Sequence, residues 1–340
     1  MINTIYRLKS PHRFEIAFDE LNINNSVLVR PTHLSICNAD QRYYQGTRDA
    51  KVLKEKLPIA LIHEGIGKVV YDPTNTFTPG DNVVMIPNFP TESIENIAEN
   101  YLRSSKFAGS SKDGFLQEYL AFPSDRLVKL PDDIDLDVAA FTEIVSVSMH
   151  AISRFKSTAH STKNIIGVWG DGNLAFITSL LLKKIFTDSK IYVFGIDETK
   201  LSDLTFVDKT FLTTEIPNDL IINHAFECVG GNGSPIAIEQ IIDHIAPEGT
   251  IAILGVSEYP VPINTRMILE KGLRIIGTSR SGKKDFEDII DLYKKHPDVP
   301  NYLKRLVNKT IEVNNFQDIK TAFDYDKNKS FGKTVLHWNL

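Results

Sequence analysis

Cysteine is nearly absent. Two in 340 residues, Cys37 and Cys228, cannot build a disulfide framework, which fits a reducing compartment. No apolar run reaches the roughly 18 residues of a membrane span. The opening MINTIYRLKS has no apolar signal core, so a soluble cytoplasmic protein is the expectation. Basic excess is missing too: the net charge of −5 argues against a partner with a phosphate backbone and leaves room only for a local basic pocket. Internal repeats and low-complexity tracts are also lacking.

What is present is ordinary globular composition, 42% apolar and 24% charged, in a chain too long for one small core. Residues 1–145 read as β-rich, with alternating stretches such as SVLVRPTHLSI and turn-led strands such as TPGDNVVMIP. Thr91 to Asp113 is a polar insertion, expected to be partly helical at its front. From Leu136 the pattern turns helical in LDVAAFTEIVSVSMHAISRF. Residues 146–279 then alternate short β-branched runs with helical patterns, which predicts six parallel strands with right-handed crossovers. Residues 280–340 are too short for a core of their own and are expected to fold back onto the first domain.

Within this α/β region VWGDGNLA follows the first strand and opens an apolar helix. Gly170 and Gly172 fit the first two glycines of a dinucleotide-binding turn, and Ala175 takes the third place. Asn173 and Leu174 begin the helix, whose free N–H groups would face a pyrophosphate. A purely structural glycine turn is the bland alternative. The next strand ends at Gly195, where an NAD site usually carries an acid for the ribose 2′-hydroxyl. With no carboxylate there, and Lys200 close behind, NADP(H) is favoured. The alternative is that Asp197 swings in to bind the hydroxyl.

A second constellation lies earlier. Cys37 sits where an apolar strand breaks into polar sequence, and LIHEGIG puts His63 beside Glu64. Singly, these read as a buried thiol, a core histidine and a surface acid. Glu143 lies in an apolar helical stretch, where an unpartnered carboxylate is costly and a cation would relieve it. Together they are the donor types that zinc prefers. Charge counting makes Glu143 a displaceable ligand, since Cys37 thiolate and Glu64 already neutralise Zn²⁺. Cys228, at the end of a strand, reads as structural.

In order along the chain, CNAD, H-E-x-x-G at His63, Glu64 and Gly67, GDNVV, GFLQEYL and the glycine motif resemble the zinc-dependent medium-chain dehydrogenase/reductase family. The resemblance implies a GroES-like catalytic domain in two sequence pieces around a Rossmann domain, with zinc near the nicotinamide. It implies that Cys37, His63 and Glu64 hold the metal, with Glu143 as the further ligand of the polyol-dehydrogenase branch. Asp40 becomes a second layer behind Cys37 and Glu64 in the catalytic set, with strand-end capping as its alternative. The four-cysteine lobe of many members is absent, so one catalytic zinc and no structural zinc are expected. Ile62 replaces a usual glycine, and Ala39 and Arg42 replace common relay residues, which leaves water near Glu64 as the expected proton route.

Further phrases, ADQRYYQGTRD, IGVWGDGN, HAFECVGG and GTSRSGKKDF, resemble the ribulose-5-phosphate reductases within that family. The narrower resemblance implies NADPH-linked reduction of ribulose 5-phosphate to ribitol 5-phosphate. It also implies a link to a ribitol-5-phosphate cytidylyltransferase making CDP-ribitol for wall teichoic acid. A phosphorylated substrate needs a cationic clamp, for which Arg42, Arg48, Arg280 and Lys283 are candidates, each of which could equally be a solvated surface charge. Tyr43 is a candidate pocket wall or a packing ring. Relatives pair through the last Rossmann strands, so a homodimer near VSEYPVPI is expected. The rivals are an NAD-linked polyol dehydrogenase and a catalytically silent protein on the same fold.

Overall fold

Strand-forming runs in the first part of the chain pair across long sequence distances. The computed structural model describes all 340 residues and divides them into two compact units, residues 1–146 with 281–340, and residues 147–280.

The first unit is built on a sheet ordered Leu127–Lys129, Asn82–Met85, Glu64–Tyr71, Val27–Ser35, Lys333–Trp338 and Val307–Val313. Leu120–Phe122 also pairs with Val27–Ser35. A smaller sheet joins Ile2–Ser10 to Arg13–Glu20 and Ile59–Ala60. The C-terminal strand is central, antiparallel to Val27–Ser35 with Ser35 opposite Val335, while Ser35 faces Glu64 on the other side. The strand leading to Cys37 therefore lies between the strand headed by Lys333 and the strand opened by Glu64. Buried Leu34, Ile36, Leu61, Met85, Phe115, Phe323 and Leu336 belong to the core beneath it.

The polar insertion differs from its expected form. Its one helical turn, Glu99–Tyr101, lies in the middle, and Asn88–Phe89 pairs with Lys106–Phe107 around it. Glu99 decides this: its carboxylate takes the Arg126 guanidinium at 2.8 Å and the Lys283 N–H at 2.8 Å, so the turn forms where those donors stand. The helical stretch from Leu136 breaks into Leu136–Ala139 and Thr142–Thr158.

The second unit is a six-stranded parallel sheet. Numbered within the unit, its strands run 3-2-1-4-5-6, the doubly wound order whose reversal lies between the first strand, Ile165–Trp169, and the fourth, His224–Glu227. Trp169, Phe194, Ala225, Ile241 and Ile251 pack in its core. Arg274–Gly277 is an edge strand.

Candidate metal centre and nucleotide site

Cys37 ends the run from Val27–Ser35 and caps the helix Asn38–Tyr44. Three residues on, Asp40 is buried and its carboxylate turns back onto two backbone donors, the N–H of Cys37 and the N–H of Ile62, each at 3.0 Å. It also lies 3.5 Å from His63 Nδ1. Burial alone would raise the Asp40 carboxyl, but the facing imidazole and the two N–H donors hold it below its ordinary value. One carboxylate thus fixes the loop of Cys37 and the ring of His63.

His63 is delivered by a strained backbone. Ile62 has φ +70°, where a β-branched residue is an outlier costing on the order of 1–3 kcal/mol. That conformation suits the glycine which the resemblance implies at this position. Here the strain is held by hydrogen bonds on both sides: Ile62 N–H to Asp40, and Phe115 N–H to the Ile62 carbonyl at 2.8 Å. Gly114 makes the approach possible, since a Cβ there would stand 2.3 Å from the Ile62 oxygen.

Glu64 opens the strand Glu64–Tyr71 and is fully buried. Ligand atoms of Cys37, His63 and Glu64 all lie within 4.8 Å of one another. Glu143 is not among these three. It lies in the first turn of Thr142–Thr158, where burial pushes its carboxyl up to about 7; Glu64 and Asp40 add to the rise while His63 and Lys333 oppose it.

Lys333 was not anticipated from the sequence. It begins the C-terminal strand, and its buried ammonium stands 2.8 and 2.7 Å from the two Glu64 carboxylate oxygens. The only sequence signal is a lone cation opening an apolar strand in GKTVLHW. Its charge alters the ligand count, because Glu64 is compensated by Lys333 before any metal is considered.

Donor chemistry suits zinc: a thiol, an imidazole and a carboxylate converge from three segments. Lys333 hydrogen-bonds Glu64 Oε1, while Oε2 meets the same ammonium at 2.7 Å without hydrogen-bond geometry and so keeps acceptor capacity beside the Cys37 and His63 donors.

Arg42, Tyr43 and Arg48 follow Cys37 on one helix and the turn after it. Tyr43 is buried in the core with the Arg48 guanidinium 5.0 Å from its ring centre, while Arg42 and Arg48 are half-buried. Lys283 starts the helix Lys283–Lys295 and faces Glu287 at 3.6 Å. Arg280, at φ +59°, closes the second unit.

In the second unit the glycine turn follows the first strand at the topological reversal. Gly170, at φ +129°, adopts a conformation that favours glycine and a Cβ there would stand 3.2 Å from the Cys228 backbone, whereas nothing lies within 4 Å of the Cβ position of Gly172. Gly172 caps the helix Asn173–Ile185, so Asn173 and Leu174 stand at its N-terminus. Glu227, also unanticipated, is fully buried and accepts N–H bonds from Val229, Gly230 and Gly255, tying together the loops after the fourth and fifth strands. Burial keeps the Cys228 thiol protonated, well above its ordinary value, with Glu227 adding to the effect.

The second strand ends at Gly195 without a carboxylate of its own, but one stands beside it from the preceding turn. Asp171 Oδ2 accepts from Ile196 N–H at 2.8 Å and Asp197 N–H at 2.9 Å, and a Cβ on Gly195 would meet Asp171 at 2.8 Å. Gly195 is therefore glycine for want of space. Asp197 caps the helix Glu198–Ser202 and faces Lys200 at 3.5 Å.

Residues 24–132 match the alcohol dehydrogenase GroES-like domain family, and residues 203–295 match the zinc-binding dehydrogenase family. The chain is 53% identical over 339 residues to ribulose-5-phosphate reductase 1 of Staphylococcus aureus, covering 99% of both chains. It is 53% identical over 341 residues to the ribulose-5-phosphate reductase of Bacillus spizizenii, covering 100% of both. The crystal structure of S. aureus TarJ in complex with NADPH superposes with a TM-score of 0.90 at 49% identity, covering 100% of both chains.

Proposed function

The chain belongs to the zinc-dependent medium-chain dehydrogenase/reductase family, and on that premise we propose that it reduces ribulose 5-phosphate to ribitol 5-phosphate with NADPH. The observation that carries this is 53% identity, over the full length, to enzymes that bear that activity in their names. It is supported by the convergence of Cys37, His63 and Glu64.

Cys37, His63 and Glu64 would hold the zinc, with Glu143 close enough to feel the charges of His63 and Glu64. Bound there, zinc supplies a Lewis acid for the C2 ketone oxygen, and NADPH supplies the hydride. The chain's own residues do the positioning. Asp40 orients the His63 ring and the Cys37 loop, and Lys333 holds the Glu64 carboxylate in place. In metal-free protein burial raises the Glu143 carboxyl, and a cation bound at Cys37, His63 and Glu64 would favour its charged form. Gly172 and the helix N-terminus behind it receive the NADPH pyrophosphate, and Lys200 serves the 2′-phosphate. Arg42, Arg48, Arg280 and Lys283 form the pool from which the substrate phosphate draws its cationic partners.

The product would be consumed by a ribitol-5-phosphate cytidylyltransferase, leading to CDP-ribitol and ribitol-phosphate wall teichoic acid. A cytoplasmic location suits that supply. No helix is long and apolar enough to cross a membrane. A homodimer would form along the edge strand Arg274–Gly277, near which Val256, Tyr259, Ile263 and Leu269 are exposed. Pro260 and Pro262 limit how regular that pairing can be. The test is product identity: NADPH and ribulose 5-phosphate should yield ribitol 5-phosphate by NMR. A polyol product formed only from unphosphorylated sugar would replace this reading with a polyol dehydrogenase.

A further inference from the structure

Away from Cys37, a second group of metal-binding side chains meets on the same sheet. The register places Glu312, His337 and His33 directly opposite one another on three neighbouring strands. Asp137, on the short helix Leu136–Ala139, reaches the same row: its Oδ1 lies 2.8 Å from His337 Nε2 and 4.0 Å from His33 Nε2. The two imidazole rings meet edge to face, 4.6 Å apart.

An ordinary imidazole–carboxylate hydrogen bond accounts for only part of this. Each ring already occupies its Nδ1: His337 with Glu312 Oε1 at 2.7 Å, and His33 with Thr32 Oγ1 at 3.1 Å. Glu312 is itself held, its other oxygen accepting from Asn339 Nδ2 at 2.9 Å. Glu312 can only accept, so His337 carries a proton on Nδ1, and where Thr32 likewise accepts from His33 Nδ1 each Nε2 is the nitrogen left for a metal, the arrangement that surrounds metal-bound histidines. Both Nε2 atoms then converge on one carboxylate oxygen, and at 4.0 Å the His33 nitrogen is beyond hydrogen-bond reach of it. Neighbouring ligands of a tetrahedral ion stand about 3.4 Å apart, between the two distances seen. All three ligand atoms lie within 4.8 Å of one another, and the residues are half-buried, so an ion could enter from solvent.

We propose that His33, Asp137 and His337 form a second metal site, which takes a divalent first-row transition ion through two imidazoles and one carboxylate and leaves a coordination position open. Two nitrogens and one oxygen suit Zn²⁺, Co²⁺, Ni²⁺ or Cu²⁺ rather than Mg²⁺ or Ca²⁺. The site differs in chemistry from the thiolate set at Cys37 and from any four-cysteine site. An ion there ties the strand leading to Cys37, the strand headed by Lys333 and the helix before Glu143, so it stabilises the sheet that carries the first centre.

Co²⁺ titration of the full-length protein tests this, because a thiolate ligand gives a near-ultraviolet sulfur-to-cobalt band that a nitrogen–oxygen site cannot give. Wild type is expected to bind one equivalent without that band, in addition to the equivalent at Cys37. His33→Gln and His337→Gln should each weaken the band-free equivalent by more than the roughly ten- to hundredfold that loss of an outer partner costs. Both should keep the sulfur band and the wild-type rate of NADPH oxidation. If either variant also loses activity, Asp137→Asn carries the same comparison. Wild type binding Co²⁺ only with the sulfur band overturns the proposal, as do variants that bind the band-free equivalent as tightly as wild type.

Discussion

Lys333 and Glu64 form a fully buried ion pair, joined at 2.8 and 2.7 Å across 269 residues of sequence. Removing one member of such a pair leaves the other charge buried and uncompensated, a loss of about 3–5 kcal/mol. In metal-free protein, Lys333→Met should lower the unfolding free energy by that order, and Glu64→Gln added to it should recover part of the loss. Urea unfolding of the two variants checks this. Equal stability of Lys333→Met and wild type would mean that Glu64 is compensated by another group.

Two glycines should respond in opposite ways. A Cβ on Gly114 would stand 2.3 Å from the Ile62 carbonyl oxygen and 2.4 Å from that of Leu61, so Gly114→Ala must push away the segment that delivers His63. It should lose at least about 1–3 kcal/mol and bind zinc poorly. Nothing lies within 4 Å of the Cβ position at Gly172, so Gly172→Ala should fold normally and raise KM for NADPH, because the added methyl occupies the pyrophosphate approach. Melting temperature, zinc content and KM measured on both variants separate the two effects.

These contrasts show how far the sequence was legible. The glycine turn and the adjacent His63 and Glu64 are local patterns, so their chemistry could be read from a few residues. Lys333 could not: it reaches Glu64 only because the C-terminal strand pairs with Val27–Ser35, a register no local pattern encodes. Gly195 has a packing reason that the sequence did not show. The missing carboxylate at that strand end is supplied by Asp171, from the preceding turn, which fills the space a side chain on Gly195 would need. Glu227 escaped notice because a buried acid bonded only to backbone N–H groups leaves no spacing signature.

His224 should make the second unit acid-sensitive. Its Nδ1 accepts the Thr250 N–H at 3.1 Å, and its Nε2 meets the Thr162 carbonyl at 3.1 Å, so the ring must stay neutral. Burial, with His160 and Lys163, lowers its pKa from 6.5 to about 4. The unfolded chain therefore takes up this proton at a higher pH than the folded chain. The stability involved is complete above pH 6.5 and is lost as pH falls from there towards 4, on the order of 2 kcal/mol after allowance for screening. Comparing urea unfolding of wild type and His224→Gln between those limits should show a steeper decline in wild type. Parallel curves would contradict it.

The most direct measurement of the whole account is kcat/KM for NADPH oxidation with ribulose 5-phosphate, set beside ribulose with NADPH and ribulose 5-phosphate with NADH. A charge-assisted bond to the phosphate contributes about 1.5–3 kcal/mol, so ribulose 5-phosphate should be favoured over ribulose by roughly ten- to a hundredfold. NADPH should be favoured over NADH, and Arg42→Ala or Arg280→Ala should narrow only the ribulose 5-phosphate advantage. Equal efficiency with ribulose and its 5-phosphate, or a preference for NADH, would contradict the account.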